Sequence, residues 1–234
     1  MSSRMEAMNT TPLWRAVAAE FLGTGLLVAV VVGSGIAAQR LSPADAGLQL
    51  LENSTATAFG LAVLILIFQT VSGSHFNPVV TLADRALGAE SRAIGIVTFI
   101  AAQILGGIGG AILANLMFAV PTTLSTKDRL SVGQLLGEVV ATAGLLLLIF
   151  ALVRTQRTGL VGPAVGAYIG AAYWFTSSTS FANPAVTIGR VFTDTFAGIA
   201  PLSALAYLGA QLVGAAVGVG LVLAFFPAAR KAFA

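Results

Sequence analysis

The chain has no cysteine. That excludes a disulfide framework, a thiolate nucleophile and any cysteine metal site. It has one histidine, His75, so a histidine-based metal cluster is excluded as well. Charge is scarce: 9% of the 234 residues are Asp, Glu, Lys or Arg, against 57% hydrophobic, and the mean hydropathy is +0.92. Soluble domains carry about 25% charged residues. So few charges cannot cover a surface facing water, and the chain reads as an integral membrane protein. The formal charge of +3 has no dense basic cluster behind it, so nucleic acid is not an expected partner.

Hydrophobic stretches near 20 residues are the unit of reading, because about that many are needed to cross ~30 Å of hydrocarbon as a helix. Six are found, at about 13–38, 54–73, 92–119, 131–153, 159–177 and 201–227. Arg4, Glu6 and Arg15 precede the first, which suits a retained span better than a cleaved signal. Two further segments, 77–87 and 183–192, are too short to span and too apolar for an exposed loop. They are expected to be re-entrant. With six spans the termini share a side. That side collects Arg4, Arg15, Arg85, Arg92, Arg154, Arg157, Arg230 and Lys231, against Arg40, Lys127, Arg129 and Arg190 on the other. The excess predicts cytoplasmic termini in a multi-pass protein of the cell membrane.

The sequence SGSHFNPVVT at Ser72 returns as FANPAVTIG at Phe181, with Asn77 and Asn183 106 residues apart. AEFLGTGLL at Ala19 returns as GEVVATAGLL at Gly137, pairing Glu20 with Glu138. QILGGIGG at Gln103 returns as QLVGAAVG at Gln211. The single 1–234 domain therefore divides into repeats at 13–119 and 131–227, each with three spans and one short segment. Three is odd, so the second repeat enters from the opposite face. Inverted repeats place their functional site near the midplane, where the halves meet.

Pro78 and Pro184 suit the first turn of a helix, and Asn77 and Asn183 are good N-caps. Each box therefore starts a half-helix, and inversion points the two starts at each other. Irregular backbone at that depth must be buried in protein or line a wet cavity. The capping oxygens are occupied, which leaves both amide N–H groups of each Asn to donate into the cavity. The positive ends of two helices meet there as well. The expected object is a narrow pore that offers donors and repels cations.

The paired Asn-Pro boxes in an inverted six-span repeat closely resemble the aquaporin, or major intrinsic protein, family, over nearly the whole chain from Glu20 to Gly218. The resemblance implies an all-α fold of six transmembrane helices plus two re-entrant half-helices in a 3+3 inverted repeat. It also implies a homotetramer with a pore in each subunit, passive passage of small neutral solutes, no cofactor and no enzymatic activity. The pore centre would be Asn77, Pro78, Val79, Asn183, Pro184 and Ala185, with Val79 standing where the family usually has alanine. The family usually has arginine directly after the second box, and here that residue is Val186. Spacing from the two Asn residues assigns Thr57, Ala171 and Ser180 to the rest of the outer filter. All are small, so a wide outer mouth without a fixed positive charge is expected, suited to solutes larger than water. Bacterial relatives lacking the filter arginine are associated with arsenic detoxification, which adds neutral metalloid hydroxides such as arsenous acid to water, glycerol and urea. Arg190 lies one turn beyond Val186 on the same helix face and leans back toward it, a candidate substitute for the missing cation.

His75 is expected to line the cytoplasmic end, and Phe181 either to shape the outer mouth or to pack. Glu20 and Glu138, inside apolar spans, read as buried scaffolds for the non-helical loops; a proton relay is the competing reading. The pairs Gly106/Gly110 and Gly214/Gly218 suit close helix crossing. A proton-coupled secondary transporter of the same architecture is the main rival, and it would need those carboxylates at the midplane. A junction protein without transport is a weaker rival. A membrane enzyme lacks a nucleophile–base pair.

Overall fold

The computed structural model of the chain describes residues 11–89 and 93–227. Helix α1 is Leu13–Leu41, α2 Ala46–Phe68 and α3 Pro78–Ala86. Helix α4 is Ala93–Met117, α5 Val132–Arg154 and α6 Val161–Phe175. Helix α7 is Pro184–Gly189, continued by a 3-10 turn at Arg190–Phe192, and α8 is Pro201–Phe225. Arg4, Arg92, Arg230 and Lys231, used above for orientation, lie outside the described residues.

Five of these helices are long and apolar enough to cross a membrane. The sixth expected span is α6, with only 15 residues. At 1.5 Å per residue it covers about 22 Å, and the 3-10 turn Thr158–Leu160 before it adds roughly 6 Å. Together they approach the thickness of the hydrocarbon.

Helix α2 starts eight residues before the hydropathy reading. The Asp45 carboxylate caps it, accepting from Leu48 N at 2.9 Å. Its polar first turns then find partners inside the protein: Gln49 Nε2 donates to Ser42 O at 2.7 Å, and Asn53 Nδ2 to Val31 O at 2.8 Å.

The two repeats pack alike. Helix α1 lies along α4, α5 lies along α8, and α2 meets α6 across the pseudo-symmetry axis. The crossings are tight. A Cβ on Gly110 would stand 2.0 Å from Gly25 O, and one on Gly214 would stand 2.6 Å from Val139 O. Lipid supplies no hydrophobic drive between spans, so such close backbone packing carries much of their association. Outward-facing Phe59, Leu116, Trp174 and Leu205 are more than half exposed, the pattern of a surface bathed in lipid tails.

Candidate pore between two half-helices

The loops leading into α3 and α7 are held from behind by buried carboxylates. Glu20 Oε1 accepts from Ser72 Oγ at 2.6 Å and His75 N at 3.0 Å; its Oε2 accepts from Phe76 N and Gln103 Nε2, both at 2.7 Å. In the other repeat Glu138 accepts from Phe181 N and Ala182 N, each at 2.9 Å, and from Gln211 Nε2 at 2.6 Å. Both carboxylates are fully buried. A buried charge is tolerable only when it is hydrogen-bonded on this scale. The loops need such support because their backbone is strained. Ser74 and Phe76 in one, and Ser180 and Ala182 in the other, have φ between 48° and 54°. Non-glycine residues rarely occupy that region.

Each box then works as a cap and as a staple. Asn77 Oδ1 accepts from Val79 N at 3.0 Å, and Asn183 Oδ1 from Ala185 N at 2.9 Å. Across the midplane, Asn77 Nδ2 donates to Ala182 O and Asn183 Nδ2 to Phe76 O, both at 2.8 Å. This corrects one expectation. One amide N–H of each Asn is spent on the opposite loop, so only the second is left for the cavity. The sequence marks the caps, but the crossed bonds depend on how the loops meet.

A cavity of about 120 Å³ runs past both asparagines. That is room for several waters. Its wall is mostly aliphatic, with Leu27, Val31, Leu61, Ile65, Leu145 and Ile149 among the lining residues. Helix α3 contributes Asn77, Val80 and Asp84; α7 and its 3-10 extension contribute Asn183, Val186 and Arg190. Each set has the i, i+3, i+7 spacing of one helix face.

That face explains two corrections at the pore centre. Val79 is fully buried and does not line the cavity; Val80 does. Ala185 is also fully buried, and its carbonyl lies against α4, where a Cβ on Gly107 would come within 2.6 Å of it. Pro78 and Pro184 open their helices without lining the space.

The outer filter needs a further correction. Thr57, Ser180 and Val186 line the cavity, but Ala171 is exposed on the outer side of α6. The lining residues of α6 are Val161, Val165, Ile169 and Tyr173, one every four residues. Ala171 lies about 200° round the helix from Ile169 and again from Tyr173. Tyr173 is therefore the large side chain at this level, with its hydroxyl 3.2 Å from Thr57 Oγ1. Counting back from Asn183 missed it; the four-residue stripe in α6 is the signal that finds it. Ser180 Oγ is buried and has no protein partner.

Val186, directly after the second box, brings no charge to the wall, and Arg190, the candidate substitute one turn on, reaches the cavity. Arg190 is 2% exposed and lines the cavity, with its guanidinium carbon 3.4 Å from the centre of the Phe181 ring. Its Nε donates to Ala197 O. At the opposite end His75 lines the wall, with Nδ1 3.1 Å from Thr81 Oγ1 and Nε2 3.8 Å from Asp84 Oδ2. Among the described residues no three His, Asp or Glu side chains converge as a metal site would require.

Comparison with known proteins decides the family, since the model "Major intrinsic protein" matches residues 7–182. The chain belongs to the major intrinsic protein family. It is 46% identical over 216 residues to Aquaglyceroporin AqpS of Rhizobium meliloti strain 1021, covering 92% of this chain and 91% of that relative. A probable TIP-type aquaporin of Medicago truncatula is 33% identical over 187 residues, 75% of this chain and 74% of that one. The X-ray structure of the aquaglyceroporin from Plasmodium falciparum superposes with a TM-score of 0.66 at 22% identity, covering 92% of this chain and 96% of that one, which supports the fold. Members of this family are channels, and the chain is a passive channel for small uncharged solutes.

Proposed function

We propose that this channel passes neutral hydroxylated solutes larger than water, with glycerol as the type case and urea and arsenous acid as further candidates. The observation that carries the reading is the mixed wall of the cavity. Aliphatic side chains form most of it, with a few polar groups among them: the spare amide N–H of Asn77 and Asn183, the unpartnered Ser180 Oγ and the Thr57–Tyr173 hydroxyls. A polyol has the same mixture, with carbons to meet aliphatic side chains and hydroxyls to meet donors and acceptors. Water alone gains nothing from an aliphatic wall. The 46% identical relative named an aquaglyceroporin points the same way. Cation and proton exclusion follows the logic of aquaporin-type pores, in which half-helix starts and fixed donors meet at the centre.

A proton-coupled transporter would need a carboxylate in the cavity near the midplane. Glu20 and Glu138 are turned away from it and committed to the loops. The only lining carboxylate among the described residues, Asp84, is two helical turns from Asn77, near one end. A homotetramer in the plasma membrane with cytoplasmic termini, so that His75 and Asp84 face the cytoplasm, completes the proposal.

A swelling panel in proteoliposomes tests it, with water, glycerol, urea and arsenous acid as solutes. Glycerol and at least one other large solute should pass well above empty liposomes. Water passage alone would refute the solute assignment.

A further inference from the structure

The cavity wall holds two formal charges among its lining residues, Asp84 and Arg190. They stand at matching places. Asn77, Val80 and Asp84 on one half-helix correspond, at a constant offset of 106 residues, to Asn183, Val186 and Arg190 on the other. The loop partners match at the same offset: His75 beside Asp84, Phe181 beside Arg190. Inversion of the repeat therefore puts a carboxylate beside an imidazole at one end of the cavity and a cation on an aromatic face at the other.

We infer that Arg190 supplies the fixed charge of the filter, in place of the residue directly after the second box, and that Asp84 is its counterpart of opposite sign. The pore is thus charge-polarised from end to end. Arg190 is placed for this. Its segment is anchored on both sides, since Ser125 N donates to Val191 O at 2.8 Å and Asn115 Nδ2 to Phe192 O at 2.9 Å. The Ala197 carbonyl accepts a hydrogen bond from Nε–H, and the guanidinium lies over the Phe181 ring. No carboxylate lies within salt-bridge distance of it among the described residues, whereas Asp84 Oδ2 has His75 Nε2 at 3.8 Å. A buried guanidinium with no counter-ion keeps its field and its remaining donors for whatever occupies the cavity. Arg129 strengthens the same field, 5.4 Å from the centre of the same ring, with its own donors spent on Gly198 O and Phe196 O. Cations would be repelled at this end and hydroxyl oxygens would find donors. At the other end Asp84 offers an acceptor.

The inference rests on the cavity being the conduction path, and the absence of cysteine allows a direct reading of the two fields. A Ser180→Cys variant places a thiol near Arg190, and a Val80→Cys variant places one a turn from Asp84. Each is reacted with a neutral, an anionic and a cationic methanethiosulfonate, all rates being normalised to the neutral reagent. Local potentials of several kT shift reagent concentration by roughly tenfold or more. The thiol at 180 should favour the anionic reagent by about that factor, and the preference should collapse toward one when Arg190→Gln is added. The thiol at 80 should favour the cationic reagent until Asp84→Asn is added. Ala171→Val, on the outer side of α6, should leave both ratios alone. Equal rates at 180, or a ratio unmoved by Arg190→Gln in a variant that elutes and melts like its parent, would overturn the assignment. If Arg190→Gln does not fold, the sign of the ratio in Ser180→Cys alone decides, with Arg190→Lys expected to preserve it. Failure of even the neutral reagent at both thiols would sink the conduction path along with the polarity. Normal neutral labelling without polarity would sink the polarity alone.

Discussion

The two half-helices share one plan and end in opposite chemistry. Both begin with Asn-Pro, both rest on a buried Glu–Gln pair, and both present one face to the cavity at the same spacing. The shared parts hold strained backbone in place. The parts that differ, His75/Asp84 against Phe181/Arg190 and Ser74 against Ser180, face the cavity. Ser74 Oγ donates to Ile65 O at 3.1 Å, whereas Ser180 Oγ has no partner. Symmetry thus builds the scaffold, and departures from it mark where the two ends can act differently on a solute.

The largest expected effect comes from removing a scaffold carboxylate. Glu138→Leu would leave Phe181 N, Ala182 N and one of the two Nε2 hydrogens of Gln211 buried without an acceptor, at about 1–3 kcal/mol each. Little folded channel should be recovered from detergent, and Glu20→Leu should fail in the same way. Recovery of either variant with native melting would break the equivalence of the two halves.

Next come the boxes. Asn77→Asp and Asn183→Asp keep a capping oxygen but lose the donor to the opposite loop and add negative charge. Glycerol flux should fall by at least about tenfold, or a cation conductance should appear, since charge and donors at the pore centre set both. Unchanged flux without conductance in either variant would remove that Asn from the pathway.

A smaller difference separates the packing of the two repeats. Gly107 in α4 has Ala215 as its counterpart in α8. A methyl at Gly107 would meet Ala185 O at 2.6 Å, so Gly107→Ala should lower stability by about 1–3 kcal/mol in thermal melts. Ala215→Gly, which only loosens a helix, should cost about 0.5–1 kcal/mol. Equal shifts would mean that α7 does not press on α4.

The smallest effect concerns the loop beside Arg190. Asp194 accepts from Thr126 N at 2.9 Å and Thr126 Oγ1 at 3.1 Å, and those bonds hold its carboxyl below the ordinary value. A carboxyl depressed in the folded state stabilises above its unfolded pKa, about 3.9, and loses that contribution as pH falls through the folded value. Protease protection of residues 121–130 should therefore weaken slightly on acidification, and Asp194→Asn should remove that dependence.

Much of this was legible in the sequence. Apolar stretches mark the six spans, and each Asn-Pro pair marks a helix start, because cap chemistry is local. What the sequence hid depends on rotation about helix axes. Ala171 and Tyr173 differ by two residues and face opposite ways, as the stripe Val161, Val165, Ile169, Tyr173 reveals. Val79 and Val80 differ by one, and only the second reaches the cavity. The start of α2 was hidden for another reason: Gln49 and Asn53 look like loop residues until their partners on Ser42 and Val31 are known.

The conduction path itself is most directly tested with mercurial reagents, which bind thiols. The natural chain has none, and its glycerol flux should resist them. Ser180→Cys puts a thiol on the cavity wall, and Ala171→Cys puts one on the outer side of α6. Mercury should stop glycerol flux through the first variant, with recovery on adding a thiol reductant, and leave the second unchanged. Flux that survives mercury in Ser180→Cys, or is blocked equally in Ala171→Cys, would show that solute does not cross between the two half-helices.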